Sequence, residues 1–140
     1  MRFPNGKNLA GQKAASKPLC LADKASVTRL TINYFTWRTP VRDGKMRSFH
    51  TLEIPFVFEN GDLAKSMTGS GEDRYALSDK ISGAWVAFAR TGNPNHRGLP
   101  NWPAFNHTQR ATMILNDDCR VVNDPNGEER LTLRGIQAPN

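Results

Sequence analysis

The stretch FTWRTPVRDGKMRSFHTLEIPFVFEN, residues 35–60, runs from the end of a strand pattern, through a turn, to a histidine and into an apolar segment. Just upstream, residues 27–36, VTRLTINYFT, are rich in β-branched and aromatic side chains. Val27, Leu30, Ile32 and Tyr34 predict a strand with one buried face. Pro40 stops regular pairing, and Asp43-Gly44 marks a tight turn. In residues 52–58, LEIPFVF, Pro55 argues against a central strand. A buried loop or short turn against a core is expected instead. Glu53 is the odd residue there. A carboxylate among Leu52, Ile54 and Phe56 has to be paired, hydrogen-bonded or protonated, because an isolated buried charge is too costly.

Downstream, residues 59–70 read as polar and flexible. Ser70-Gly71-Glu72-Asp73 matches a capping box, with Ser70 as N-cap and Asp73 standing in for the usual Glu or Gln. A helix over about 71–91 follows, because Leu77, Ile81, Ala84, Trp85 and Phe88 step by three or four residues. Gly92 is its C-cap glycine and Pro94 prevents continuation. Residues 93–110 are expected to form an ordered loop pinned by Trp102 and Phe105. ATMIL (111–115) and CRVVN (119–123) flank Asn116-Asp117-Asp118 and predict a hairpin. Asp124-Pro125 opens a turn, with a short helix over 126–134.

A chain of 140 residues, 38% hydrophobic with three tryptophans, suits one globular unit. No apolar run approaches the ~20 residues that span a bilayer, and the first thirty residues lack the apolar core of a signal peptide. Membrane contact and export are therefore not expected, and a cytoplasmic location is the default. The formal charge of +6 is concentrated early: residues 1–50 carry ten Lys/Arg against two acids, Asp23 and Asp43. Nucleic-acid contact and a solvated irregular arm over residues 1–26 are both compatible with that bias. The basic residues are scattered singly and aromatics are scarce before Tyr34, so no stacking platform forms and the solvated arm is favoured. Residues 1–25 otherwise read as irregular, although LAGQKAASK could end a helix. Cys20 and Cys119 lie about a hundred residues apart, which permits a disulfide without implying one. The cysteines and His50, His96 and His107 lack the close spacing of a zinc site, so neither metal nor other cofactor is expected.

His96 and His107 lie in polar stretches and read as plain surface residues. His50 follows a strand and a turn and leads into an apolar run, and α/β enzymes keep catalytic residues on loops after strand ends. Two readings stand for it: a catalytic base, or a buried histidine satisfied by a backbone carbonyl. A base needs a nucleophile and an orienting acid. The nucleophile elbow G-x-S-x-G is absent, and Gly69-Ser70-Gly71 lacks both its spacing and its preceding strand. A glycine-rich oxyanion loop and a phosphate-binding loop are absent too.

Residues 35–60 resemble the catalytic-histidine segment of type-B carboxylesterases, the family that includes the cholinesterases. LSDKISGAWVAFARTGNPN followed by LPNWPAF resembles the family's next helix and its T-G-x-P-N…W-P motif. RATMIL and VVNDPNGEER resemble the terminal hairpin and closing turn. The similarity covers about residues 33–134 in order. It implies an α/β-hydrolase that cleaves carboxylic esters with a serine, histidine and acid triad. His50 occupies the family's histidine position, with the role of taking the serine's proton and returning it to the leaving alcohol. Glu53 matches the glutamate three residues on, and its implied role is to fix the loop.

The chain departs from the pattern at three points. Thr51 stands where the family usually has Gly or Ala. Residues 18–30, PLCLADKASVTRL, do not resemble the family's approach to the strand. The serine, the triad acid, the oxyanion hole and most of the central sheet are missing. The expectation is an incomplete C-terminal portion of an α/β-hydrolase fold over residues 27–140: one sheet strand, a histidine loop, a long helix and a terminal hairpin. Such a portion is expected to be inactive towards esters by itself. The alternative is a non-enzymatic interaction module that complements a separate N-terminal part. The possible partners are that part and, once the domain is complete, a small carboxylic ester.

Overall fold

A computed structural model describes residues 29–137. Val27, Cys20, the LAGQKAASK stretch and most of the basic N-terminal third lie outside the described residues. The elements, in order, are β1 (Ile32–Phe35), α1 (Ile54–Val57), α2 (Lys65–Thr68), α3 (Asp73–Thr91), β2 (Ala111–Leu115), β3 (Arg120–Asn123) and α4 (Gly127–Gln137). The three strands form one sheet in the order β1-β2-β3. β1 and β2 run parallel, with Ile32 opposite Thr112 and Phe35 opposite Leu115. β2 and β3 run antiparallel, with Ala111 opposite Asn123. A parallel pair needs a long crossover, and α3 supplies it; an antiparallel pair needs only the turn at Asn116–Cys119. The chain is therefore α/β, as its alternation of strand and helix patterns requires.

β2 is the centre. All five of its residues are buried, so it reads as a continuous apolar run and not as an alternating one. Met113 and Leu115 join Leu77, Ile81 and Ala84 of α3, Leu52, Phe56, Trp37 and Trp102 in the core. Burying a side chain such as Leu77 or Ile81 contributes roughly 1.5–3 kcal/mol of transfer free energy. The loop after α3 is anchored as its tryptophan implies. Trp102 is buried, its backbone N–H donates to Asn95 Oδ1 at 2.6 Å, and its backbone carbonyl accepts from Asn95 Nδ2 and an Arg29 guanidinium N–H.

Four expectations need correction, and the short turn expected over LEIPFVF is found as a single turn of helix on the core. The strand is shorter than VTRLTINYFT, and its predicted inner face is wrong: Leu30 and Tyr34 are exposed. Phe35, on the opposite face, packs on the core, because α3 lies on that side. LEIPFVF closes into a one-turn helix with Pro55 in the first turn, where its missing N–H costs nothing. Residues 59–70 contain the short helix α2. The capping box does not form. The N-cap of α3 is Glu72, without a side-chain bond. Arg74 Nη1 donates to the carbonyls of Gly69 at 2.8 Å and Gly71 at 2.9 Å, which fixes the turn before the helix without satisfying the helix's own free N–H groups. The last helix extends to Gln137.

α3 ends as the sequence predicts, with Gly92 at φ +71° donating its N–H to the Phe88 carbonyl. Leu77, Ile81 and Ala84 face the core, whereas Trp85 and Phe88 are 38% and 43% exposed.

Candidate functional site: the histidine loop

Residues 36–53 leave the carboxyl end of β1 and lead into α1. In parallel sheets this is the end where ligands bind. The chain turns through Arg42, Asp43 and Gly44, all at positive φ. The loop is then tied at several points. Thr39 N–H donates to the Arg47 carbonyl at 3.3 Å. Thr39 Oγ1 donates to the Met67 carbonyl and accepts from Val41 N–H. Ser48 Oγ donates to the Phe35 carbonyl at 3.1 Å, which pins the segment just before His50 to the last residue of β1.

Beneath the loop sits an aromatic and aliphatic plug. The Phe56 ring lies 5.3 Å from Phe35 and 4.9 Å, edge-on, from Trp37. Leu52 is fully buried. Leu52 N–H donates to the Phe49 carbonyl and Ile54 N–H to the Thr51 carbonyl, so the turn around His50 closes on itself.

His50 is exposed at the apex. That overturns the reading of a buried histidine satisfied by a carbonyl. Thr51 is at φ +72° and its hydroxyl bonds the His50 carbonyl. This is left-handed backbone on a β-branched residue, a costly combination. Glu53 is half-buried, so its carboxylate does not face the sealed apolar setting its neighbours suggest. Its side chain caps nothing, and its backbone carbonyl accepts from Phe56 and Val57 N–H at 3.0 and 3.1 Å.

The other histidines separate. His107 is exposed and stacks edge-on against Phe105. His96 is not a plain surface residue. Its Nδ1 accepts from Gly98 N–H at 3.1 Å, which leaves Nε2 to donate to the Lys80 carbonyl at 2.9 Å. The ring lies where a Cβ on Gly83 or Gly98 would meet it at 2.9 or 2.7 Å. His96 thus clamps the loop onto α3. The signal for this is its spacing to two small residues, which only the fold brings together.

Sequence reasoning also missed a buried cation. The Arg74 side chain is 4% exposed and its Nη2 donates to Asp62 Oδ1 at 2.6 Å, while Tyr75 Oη donates to the same oxygen at 2.8 Å. The Tyr75 hydroxyl, with Arg74 and Lys65 behind it, holds the Asp62 carboxyl below its usual range, and the same Asp62 bond raises Tyr75. This cluster is structural: it ties α2, the start of α3 and the turn between them. Among the described residues Cys119 has no disulfide partner; it is buried, with its Sγ against the Asn116 carbonyl. Among the described residues no group of three or more His, Cys, Asp or Glu could hold a metal ion, and no helix is long and apolar enough to cross a membrane.

A family model described as Carboxylesterase family matches residues 22–132. The chain is 39% identical over 101 residues to the para-nitrobenzyl esterase of Bacillus subtilis (strain 168), covering 71% of this chain and 20% of that protein. It is 33% identical over 122 residues to the phenmedipham hydrolase of Pseudarthrobacter oxydans, covering 83% and 25%. The structure of a thermophilic pNB esterase superposes with a TM-score of 0.66 at 37% identity, over 74% of this chain and 21% of that one. These neighbours are α/β-hydrolase carboxylesterases, and the small sheet and helices described above match part of their fold. The chain spans a fifth to a quarter of the length of these two curated relatives. With the family model matching most of its length, the chain belongs to the carboxylesterase family.

Proposed function

We propose that residues 27–140 are the histidine-bearing, C-terminal part of a carboxylesterase domain, and that His50 is its general base. The observation that carries this reading is the exposure of His50 on a loop pinned by Ser48 to the carboxyl end of β1. A base at that place takes the proton of a serine hydroxyl during attack on an ester carbonyl and returns it to the leaving alcohol. Glu53 fixes the loop from behind through its backbone carbonyl, and it is not the triad acid. The substrate class is a small carboxylic ester.

By itself the 140-residue chain has no activated nucleophile, because the sequence carries no G-x-S-x-G. A histidine without a serine retains little rate enhancement. Hydrolysis of a p-nitrophenyl ester by this chain should therefore equal the buffer rate. Robust turnover abolished by His50→Ala would overturn that expectation. When the chain is joined to an upstream carboxylesterase portion, turnover should appear, and His50→Ala should lower kcat by roughly 10⁴-fold or more. Unchanged kcat in that variant would remove His50 from the mechanism.

A second reading, an interaction module that completes a separate polypeptide, is favoured by the exposure of Trp85 and Phe88 on α3. The two readings are compatible, since a completing fragment delivers the histidine.

A further inference from the structure

The sequence holds three asparagine–glycine pairs: Asn5-Gly6, Asn60-Gly61 and Asn126-Gly127. The first lies outside the described residues. In the other two the asparagine is exposed, and they differ in how the glycine nitrogen is held. Gly127 N–H donates to the Asp124 carbonyl at 3.0 Å, where α4 begins. Gly61 N–H donates to no backbone carbonyl among the described residues. The groups around that nitrogen are nonetheless fixed. Asn60 N–H donates to the Pro55 carbonyl at 3.1 Å, and the Asn60 carbonyl accepts from Leu63 N–H at 2.9 Å. The Gly61 carbonyl accepts from Ala64 N–H and from Thr68 Oγ1, both at 3.1 Å. A glycine nitrogen carries no Cβ beside it to shield it. A free one next to an exposed asparagine amide is set for closure of a five-membered ring, and ring closure between neighbours is fast because the reactants are already together. A hydrogen-bonded amide has to open first.

We propose that Asn60 is a site of spontaneous covalent modification, converting through a succinimide to isoaspartate, and that Asn126 is protected by the bond from Gly127 to Asp124. In the first step the Gly61 nitrogen attacks Asn60 Cγ and loses its proton. The Cγ–Nδ2 bond breaks, and ammonia leaves with that proton. Water then adds to the ring. Opening at the main-chain carbonyl leaves the chain running through Cγ, with the former backbone carbonyl as a free carboxylate. One water is consumed and one ammonia released, and no oxidant or reductant is needed. The product inserts an extra backbone atom between Asn60 and Gly61. The insertion falls in the turn whose Gly61 carbonyl holds Thr68 and whose Asp62 holds the buried Arg74 at 2.6 Å. The Met67 carbonyl of α2 accepts from Thr39 Oγ1, so a loosened turn also loosens one tie of the histidine loop.

The test ages the full 140-residue chain in mildly alkaline buffer, folded and in urea. Peptides containing Asn60 and Asn126 are followed by mass spectrometry, and isoaspartate is identified by an isoaspartate-specific methyltransferase. In the folded chain Asn60 should convert roughly 2- to 10-fold faster than Asn126, the factor a lost amide hydrogen bond supplies. In urea neither amide is held, and the two rates should draw level. Equal rates in the folded chain overturn the proposal. So does a lead of Asn60 that persists in urea, because flanking sequence and not the free amide would then set it. Gly61→Ala is a second probe. A Cβ there meets Arg74 Nε at 3.4 Å and Thr68 Oγ1 at 3.9 Å, which is ordinary contact. The variant should fold, convert more slowly at Asn60 and be unchanged at Asn126; undiminished conversion at Asn60 overturns the assignment. Ageing should lower the urea midpoint of the parent chain and spare that of Gly61→Ala. A converted parent with an unchanged midpoint would show that the turn absorbs the extra atom, against the proposed loosening.

Discussion

Thr51 holds a φ of +72° directly after the exposed His50. A β-branched side chain in the left-handed region costs on the order of 1–3 kcal/mol, and the turn around His50 over-determines it. Glycine adopts the same backbone without that penalty but loses more chain entropy on folding. Thr51→Gly should therefore stabilise the chain by about 1 kcal/mol in urea unfolding. A destabilised variant would show that the Thr51 hydroxyl bond to the His50 carbonyl outweighs the strain. The histidine itself was legible in the sequence, since it follows a strand pattern and precedes an apolar run. The strain at Thr51 was not, because φ is imposed by how the loop closes between Phe49 and Ile54. The half-burial of Glu53 was not legible either, because Leu52 and Phe56 beside it are buried while Ile54 is exposed.

At the scale of elements, α3 shows which end signals are local. Gly92 forms its left-handed C-cap as the sequence predicts, and Gly92→Ala should cost about 1 kcal/mol by thermal melting. The N-terminal signal misleads, because the helix begins with Glu72 as its N-cap, two residues past Ser70, and no side chain caps it. Ser70→Ala should consequently change stability by less than about 0.5 kcal/mol, whereas a working N-cap would lose about 1. Two carboxylates add a pH signature. Asp62 is held below its usual range by the Tyr75 hydroxyl and by Arg74. Asp124 is held below it by Arg130, which bonds it at 2.6 Å and ties α4 to the turn before it. A carboxylate with a lowered folded pKa contributes stability that is fully present above the unfolded value of about 3.9 and is lost as pH falls through the folded one. The melting temperature should hold flat from pH 7 to about 5 and decline below about 4. The double variant Asp62→Asn, Asp124→Asn should start lower and show a shallower acid decline, and an equally steep one would place the acid sensitivity elsewhere.

The whole molecule joins these pieces through one buried strand. β2 lies between β1 and β3 with every residue buried, and the core it anchors reaches through Leu77 and Ile81 to Leu52 and Phe56 under the histidine loop. Leu52→Ala should cost about 2–5 kcal/mol, measurable as a lowered urea midpoint, and should broaden the His50 resonances as its support is lost. An unchanged midpoint would mean that the loop is not seated on the core. The sequence by itself determined the long helix, the hairpin and, through its family resemblance, the α/β class, because these depend on hydrophobic period, a capping glycine and local motif order. Only the tertiary structure decided which face of β1 is inside and that Arg74 and His96 are clamps. Burial and hydrogen-bond partners come from residues distant in the chain, such as Asp62 with Arg74 or Lys80 with His96, and no local pattern encodes those meetings.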